Sequence, residues 1–151
     1  MIKIITVGKI KENYLKDAIS EYIKRLSKYT KLEIVELNDI SLDNNQIILE
    51  KEKEQIIKYI NKSDYIISLD LNGKMYDSIE LANHIDKIFI NYSNITFIIG
   101  GSYGLHPIIK EMSNELISFS KLTFPHQLFR VMLLEQIYRA YKIKNNETYH
   151  K

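Results

Sequence analysis

The stretch that decides the fold is ITFIIGGSYGLHPII, residues 95–109. Its beginning, within residues 94–100, is apolar enough to predict a strand that is covered on both faces, as strands of parallel sheets are. Three glycines follow in the segment GGSYG, and residues 105–113 then have a helical pattern. A strand, a loop and a helix in direct succession form the repeating unit of an α/β protein.

The same alternation continues along the whole chain. Strands are predicted at 2–8, 31–37, 64–70, 94–100 and 116–120, and helices at 12–28, 46–60, from Ser78 as N-cap, at 105–113 and at 125–143. A turn at 72–74 should follow the third strand. The pattern predicts an α/β fold with a mainly parallel sheet and helices on both faces. A chain of 151 residues fits one domain, 1–151.

Composition excludes several classes of protein. The chain has no cysteine, which excludes disulfides and thiolate metal sites and fits a reducing compartment. The first residues, MIKIITVGKIKENY, contain three lysines and lack the apolar core of a signal peptide. No segment reaches the about 20 apolar residues of a membrane span. We therefore expect a cytoplasmic protein with no membrane association.

The four histidines are scattered along the chain without metal-ligand spacing, so no metal site is expected. His84 is expected to be a surface or packing residue, and His106 to belong to a helix start. His126 lies at the start of the last helix and could serve a structural role. The preceding Pro125 suits a first helical turn, where its missing N–H would be unpaired.

The C-terminal segment 121–151 is basic, with a net charge of +4, whereas the rest of the chain has a net charge of −2. Its cations are Lys121, Arg130, Arg139, Lys142, Lys144 and Lys151. A cationic surface of this kind would attract a polyanion such as RNA. A solvated helix face explains the composition equally well, and both interpretations stay open.

The last helix, 125–143, leaves little of its circumference polar. A helix of this type must be buried more fully than an ordinary surface helix. Self-association of two chains through this helix is one explanation. Deep burial within a single chain is the other, and the sequence does not decide between them.

Three loops qualify as a ligand site, because open α/β sheets bind ligands at the carboxyl ends of their strands. They are LDLNGK (69–74), IGGSYG (99–104) and SFSKLTFPHQ (118–127). In the second loop, glycines would let a ligand pack on the backbone, or would simply permit a tight turn with positive φ. The loop matches neither the dinucleotide fingerprint nor the P-loop, so dinucleotide binding and triphosphate hydrolysis are poorly supported.

The chain ends in NNETYHK, residues 145–151. Terminal segments of this composition are usually frayed. Tyr149 and His150 could instead supply an aromatic ring for base stacking and a group that titrates near neutral pH.

The motifs in combination resemble a known family. IGGSYGL, the segment SFSKLTFPHQLFRVMLLEQIYRAYKI, the terminal YHK and the N-terminal VGKIKENYLKDAISEYIKRLSKY together resemble the bacterial ribosomal large-subunit pseudouridine N3-methyltransferases, the RlmH family of the SPOUT superfamily. The likeness covers essentially the whole chain. It implies a C-terminal trefoil knot, a homodimer, S-adenosylmethionine as cofactor, and N3 methylation of a pseudouridine in 23S rRNA of the assembled ribosome.

The resemblance also implies site residues. Cofactor contacts are expected at Leu69, Gly100, Phe119, Ser120, Lys121, Leu122, Thr123 and Phe124. His150 is expected to accept the N3 proton, Arg130 to stabilise the developing anion and Tyr149 to orient the base. Arg139 and Lys151 are expected to bind phosphates. In the family, the tail is thought to complete the pocket of the partner protomer.

Two other functions remain open from the sequence. One is a knotted methyltransferase that modifies another rRNA nucleotide or a tRNA. The other is a ribosome-binding factor without catalytic activity, which would bind RNA but not the cofactor.

Overall fold

The computed structural model describes all residues, 1–151. The strands are β1 (Ile2–Val7), β2 (Leu32–Leu37), β3 (Tyr65–Met75), β4 (Ile95–Ile99) and β5 (Glu115–Ser118). The helices are α1 (Asn13–Leu26), α2 (Asn45–Ile57), α3 (Ser78–Asn91), α4 (Pro107–Met112) and α5 (His126–Lys144). The predicted alternation is confirmed. None of the helices combines the length and the apolarity that crossing a membrane would require.

All five strands join one sheet in the order β2-β1-β4-β3-β5. Every neighbouring pair is parallel, so the predicted α/β class is confirmed. All five residues of β4 are buried, as its apolar sequence predicts for a strand covered on both faces. The trefoil knot that the resemblance implies stays a prediction.

The helices divide between the two faces of the sheet. In β1, Ile2 and Ile4 point into a core formed with α1, α3 and α5, whereas Ile5 and Val7 point into a core formed with α2 and α4. This alternation follows from the two-residue period of a strand. The carboxyl ends of the strands thereby meet at one edge, where the three candidate loops leave the sheet.

Helix α5 packs between α1 and α3 of its own chain. Leu133, Leu134 and Ile137 are fully buried there. Burial within one chain therefore accounts for the apolar face that the sequence left open to two explanations. Leu128, near the start of α5, is still 41% exposed. Homodimerisation stays a prediction.

Strand β3 is longer than predicted, because the expected turn at 72–74 is wrong. Both Leu69 and Lys74 of β3 pair with Ile117 of β5, and the residues between them form a bulge. A Cβ on Gly73 would lie 2.6 Å from the backbone of Ile117, so only glycine fits this close approach. The bulge pushes residues 70–73 outward at the edge where the candidate loops meet.

Two helix starts show how local chemistry sets the element bounds. The N-cap of α3 is Asp77 rather than Ser78, because Asp77 and Glu80 form a reciprocal capping box. Helix α4 begins as expected at His106, whose Nδ1 accepts a backbone N–H of the first turn, and continues with Pro107.

Candidate active site

The three candidate loops enclose one cavity of about 860 Å³, which we call the loop cavity. This volume lies within the range of small-molecule sites, about 300–1,000 Å³. Seven of the eight residues expected to contact the cofactor line it: Leu69, Gly100, Phe119, Ser120, Leu122, Thr123 and Phe124. Lys121 is exposed and lies outside this lining. The structure thus brings together residues that are up to 55 positions apart in the chain.

Backbone contacts within the second loop explain why it needs glycine at positions 100 and 104. A Cβ on Gly100 would lie 2.4 Å from the carbonyl oxygen of Gly104, and Gly104 has a φ of +77°. The N–H of Gly104 donates to the carbonyl of Gly101 at 3.1 Å, which closes the turn. The tight-turn interpretation is therefore the correct one for these glycines. The closed turn still presents its backbone to the loop cavity.

A carboxylate lies behind this glycine turn. Glu52 of α2 is only 6% exposed, and its Oε1 lies 3.1 Å from where a Cβ on Gly101 would stand. It has no hydrogen-bond or ion-pair partner among the side-chain contacts of the structure. Burial, and then the negative charge of Asp39, raise the pKa of Glu52 to about 7. No group can enter between Glu52 and the turn without moving one of them.

Two charged residues of the loop cavity were not singled out from the sequence. Asp70 follows Leu69 at the end of the first part of β3, and its Oδ1 forms an ion pair with Lys110 of α4 at 2.9 Å. Both residues line the cavity. In the sequence, only the position of Asp70 within the first candidate loop could have indicated it, and nothing indicated Lys110.

Two other histidines, His84 and His126, are held by packing within the protein. His84 contacts Glu115 and stacks on Tyr76 with ring centroids 5.0 Å apart, which confirms a packing role. His126 lines the loop cavity, and its Nε2 is buried without a partner. Burial lowers the pKa of His126. The chain contains no group of three or more His, Asp or Glu side chains that could hold a metal ion.

A second cavity of about 700 Å³ adjoins the first, and we call it the tail pocket because His150 lines it. Tyr22 of α1 and Met132 and Glu135 of α5 contribute to its wall. It shares four lining residues with the loop cavity: Ile117, Ser118, Phe119 and Phe124. Within one chain, the end of the tail therefore lies next to the expected cofactor cavity.

The C-terminal tail is packed, so the interpretation of a frayed end is wrong. Asn146 has a φ of +53° and reverses the chain after α5. The carboxylate of Glu147 then accepts hydrogen bonds from Lys142 at 2.5 Å and from the Tyr29 hydroxyl at 2.9 Å. These contacts fix the path of the last residues onto α5 and the end of α1.

Tyr149 is held by aromatic and polar contacts. Its ring meets Tyr138 edge to face with centroids 4.9 Å apart, and the Arg139 guanidinium lies 4.8 Å from its ring centroid. Its hydroxyl donates to Glu135 at 3.1 Å. Burial, followed by the Tyr22 hydroxyl and the Glu135 carboxylate, raises the pKa of Tyr149 to about 12. Tyr149 is therefore a neutral hydrogen-bond donor at physiological pH.

Arg139 connects Glu135 to His150. Its Nε and Nη2 donate to Glu135 Oε1 at 3.1 Å and 2.5 Å, and its Nη1 lies 3.2 Å from His150 Nδ1. The guanidinium expected to bind phosphate is thus already engaged with protein groups. Lys151 is exposed at the end of the chain.

Arg130 lies between residues that line the two cavities but lines neither of them itself. Its side chain is 1% exposed, and its Nη1 donates to Glu36 at 2.5 Å. Its Nη2 donates to the Thr6 hydroxyl and the Gly8 carbonyl, each at 2.9 Å. These bonds tie α5 to β1 and β2, while its Nε is buried without a hydrogen-bond partner.

The basic segment is largely neutralised. Four of its six cations form ion pairs: Arg130 with Glu36, Arg139 with Glu135, Lys142 with Glu147 and Lys144 with Asp86. Lys121 and Lys151 have no carboxylate partner. The net charge of the segment therefore does not correspond to six free cations on one surface.

Comparison with known families decides the class of protein. The family model described as "Predicted SPOUT methyltransferase" matches residues 1–150. The chain belongs to the SPOUT methyltransferase family. Proteins named Ribosomal RNA large subunit methyltransferase H are 52% identical in Clostridium acetobutylicum, 55% in Clostridium botulinum and 49% in Streptococcus thermophilus. Each alignment covers 99% of both chains, so the membership extends to this group of SPOUT methyltransferases.

Two solved structures share the SPOUT fold. A probable methylase family protein from Haemophilus influenzae matches 99% of this chain and 70% of its own, with a TM-score of 0.60 and 14% identity. The tRNA (m1G37) methyltransferase from Aquifex aeolicus matches 91% of this chain and 69% of its own, with a TM-score of 0.54 and 14% identity. At this identity the likeness concerns the fold alone.

Proposed function

We propose that this protein methylates N3 of a pseudouridine in 23S rRNA of the assembled ribosome, with S-adenosylmethionine as methyl donor. The observation that carries the proposal is the loop cavity, which gathers seven of the eight residues expected to contact the cofactor. The full-length relatives named as large-subunit rRNA methyltransferases support the class of RNA. This activity implies a cytoplasmic protein that acts where ribosomes are.

The loop cavity suits S-adenosylmethionine in shape and chemistry. Leu69, Phe119 and Phe124 offer apolar surface to an adenine ring, and the closed glycine turn offers backbone groups to polar atoms. Asp70 adds carboxylate oxygens that can accept hydrogen bonds, although its charge is paired with Lys110 in the same lining. The cofactor, when bound, supplies an electrophilic methyl group. The residues of the chain hold and orient it, and positioning contributes much of the catalysis.

We assign the RNA-facing roles according to the charges that remain free. Lys151 is unpaired and exposed at the end of the tail, and it keeps its role as a phosphate contact. Lys121, which lies outside the loop cavity, is reassigned from the cofactor to phosphate. Arg130 is reassigned to fold stability, because its Nη donors are bonded inside the protein.

We further propose that the protein works as a homodimer in which the tail of one protomer completes the loop cavity of its partner. Within one chain, the tail pocket adjoins the loop cavity, and this gives the competing arrangement in which each chain acts alone. The mixing experiment in the Discussion separates the two.

The function is tested with labelled S-adenosylmethionine and ribosomes from cells that lack the modification. We expect the label on a single large-subunit pseudouridine, located by nuclease digestion and mass spectrometry. Ribosomes that already carry the modification are the matched control and should take up no label. Label on a different rRNA nucleotide or on tRNA would keep the methyltransferase and overturn the substrate. Cofactor binding without label on any RNA would favour a binding factor.

A further inference from the structure

The contact between Arg139 and His150 determines which nitrogen of the imidazole carries the proton. An arginine side chain has five N–H donors, no acceptor, and stays protonated in proteins. The 3.2 Å contact from Arg139 Nη1 to His150 Nδ1 is therefore a hydrogen bond only if Nδ1 accepts. An imidazolium ring has no accepting nitrogen, so the contact needs a neutral ring with its proton on Nε2.

Arg139 is held in the orientation that this contact requires. Its Nε and Nη2 both donate to Glu135, which leaves Nη1 facing His150. The other carboxylate oxygen of Glu135 accepts from the Gln136 amide at 2.7 Å, and the Gln136 carbonyl accepts from the Ser78 hydroxyl of α3 at 2.8 Å. The guanidinium is thus tied through Glu135 to two helices.

We infer that His150 contacts the target base as an Nε2–H hydrogen-bond donor, and that Glu135 and Arg139 are the positioning residues that fix this tautomer. The inference rests on the proposed function. N3 of a pyrimidine imide lies between two carbonyl groups, and loss of its proton spreads negative charge onto their oxygens. A donor aimed at one of these oxygens stabilises the charge where it develops.

The reaction balances without a basic histidine. The N3 proton leaves to water, and the electron pair left on N3 forms the bond to the methyl carbon. The methyl–sulfur bond breaks and its electron pair remains on sulfur, so both products are neutral at these atoms. A general base needs a free ring lone pair. In the structure, Nδ1 is engaged by Arg139, and the inferred tautomer has the proton on Nε2. For His150 to act as the base expected from the resemblance, either the contact with Arg139 would have to break or the tautomer would have to change.

The tautomer can be measured without any activity. In ¹⁵N-histidine-labelled protein, two-bond ¹⁵N–¹H correlation spectra distinguish the two nitrogens of each ring, and His150→Gln identifies the His150 signals. We expect the Nε2–H form in the unaltered protein and a mixture with the Nδ1–H form in Arg139→Met. Lys144→Met is the matched control, since it removes another paired cation of α5 and should leave the spectrum unchanged. An Nδ1–H ring in the unaltered protein, or no change in Arg139→Met, would overturn the inference.

The kinetics distinguish a donor from a base. A glutamine amide can place an N–H near the position of Nε2, whereas asparagine reaches only to about the position of Nδ1. We expect His150→Gln to keep kcat within about tenfold of the unaltered protein, and His150→Ala and His150→Asn to lose about 100- to 1,000-fold. Cofactor affinity, measured by calorimetry, should be the same in all three and serves as the folding control. A kcat of His150→Gln as low as that of His150→Ala would contradict the donor role.

The positioning role of Glu135, which acts through Arg139, is tested by measuring kcat and KM separately. Glu135→Gln keeps an acceptor for Arg139 and should lower kcat less than Glu135→Ala, with the KM for S-adenosylmethionine unchanged in both. Equal losses in the two variants would contradict positioning by Glu135. If the unaltered protein methylates no RNA at all, the proposed function fails, while the spectra still decide the tautomer.

Discussion

The loop cavity and the tail pocket are neighbours, but they are built from different kinds of groups. Three loops at the carboxyl ends of β3, β4 and β5 form the loop cavity, and a backbone turn closed by glycines is one of its walls. At the tail pocket, side chains of α5 and of the tail form a hydrogen-bonded chain that runs from Glu135 through Arg139 to His150. Chain topology can therefore predict the first, whereas the second depends on individual side-chain contacts.

The two regions should also respond differently to substitutions. A backbone turn cannot yield to a new side chain without moving the strands that lead into it. A hydrogen-bond chain of side chains can lose one member and keep the fold, at a cost of about 1 kcal/mol for each ordinary bond. Substitutions in the glycine turn should thus affect folding and cofactor binding together, whereas substitutions in the tail should leave cofactor binding unchanged and lower stability only by about the free energy of the lost bond.

The largest effect is expected when two inactive variants are mixed. Leu122→Arg puts a positive charge at an exposed position of the loop cavity and should abolish binding of a cationic cofactor, while His150→Ala removes the tail donor. If the tail completes the cavity of the partner, the mixture should methylate ribosomes although neither variant does so alone. The measurement is label transfer after the variants are unfolded together and refolded.

Two controls accompany the mixing experiment. Each variant refolded alone should stay inactive, and circular dichroism should show that both are folded. Continued inactivity of a mixture that contains mixed dimers would mean that each chain uses its own tail, as the adjacency of the two cavities within one chain would allow.

The next largest effect is expected for substitutions of two glycines in one turn. Gly100→Ala would drive a Cβ to 2.4 Å from the Gly104 carbonyl oxygen, and we expect it to lower the free energy of unfolding by about 2–4 kcal/mol and to weaken cofactor binding. Gly104→Ala meets nothing within 4 Å and is strained only by its φ of +77°, which should cost about 1 kcal/mol. Urea unfolding and calorimetry measure both. A larger loss in Gly104→Ala would contradict the packing explanation.

A smaller effect depends on pH and concerns Glu52 behind the same turn. Folding raises the pKa of this carboxyl from 4.5 to about 7, so its contribution to stability is fully present below pH 4.5 and is lost as the pH rises through about 7. Glu52→Gln should therefore match the unaltered protein at pH 4.5 and exceed it at pH 8, by at most about 3 kcal/mol. Urea unfolding at the two pH values measures the difference.

The control for Glu52→Gln is Glu50→Gln on the same helix, where Glu50 is exposed and paired with Lys53. Burial does not penalise the charge of Glu50 in the same way, and the variant should gain no stability at pH 8. A pH-independent difference between Glu52→Gln and the unaltered protein would show that Glu52 does not titrate in this window.

The smallest effect is the difference in stability between two Tyr→Phe variants. The hydroxyl of Tyr149 in the tail is hydrogen-bonded, whereas that of Tyr103 in the loop cavity is not. Tyr149→Phe removes the hydrogen bond to Glu135 and should lower the free energy of unfolding by about 1 kcal/mol. Tyr103→Phe, at a position 52% exposed in the glycine turn, should change it by less than about 0.5 kcal/mol. Equal effects in urea unfolding would mean that the tail bond contributes nothing to stability.

Much of the fold and of the loop cavity could be predicted because both follow from local pattern and topology. The apolar β4 and its glycines indicated a strand and a loop, and the alternation of elements then placed the three loops at one edge of the sheet. The end of β3 was mispredicted, since a turn-like Asn72-Gly73 pair is also what a bulge against a neighbouring strand requires. A single sequence does not contain the neighbour that decides between the two.

The sequence by itself determined which segments are strands and helices, that the sheet is parallel, and where ligand loops would gather, because periodicity and glycine placement act over a few residues. Only the tertiary structure decided the environment of individual charges. Glu52 lies in a run of charged residues that reads as a solvated face, yet it is buried behind Gly101. Arg130 and Arg139 differ little in sequence context, but one ties α5 to the sheet and the other orients His150. Burial and partners depend on residues distant in the chain, and these meet only when the sheet and α5 are assembled.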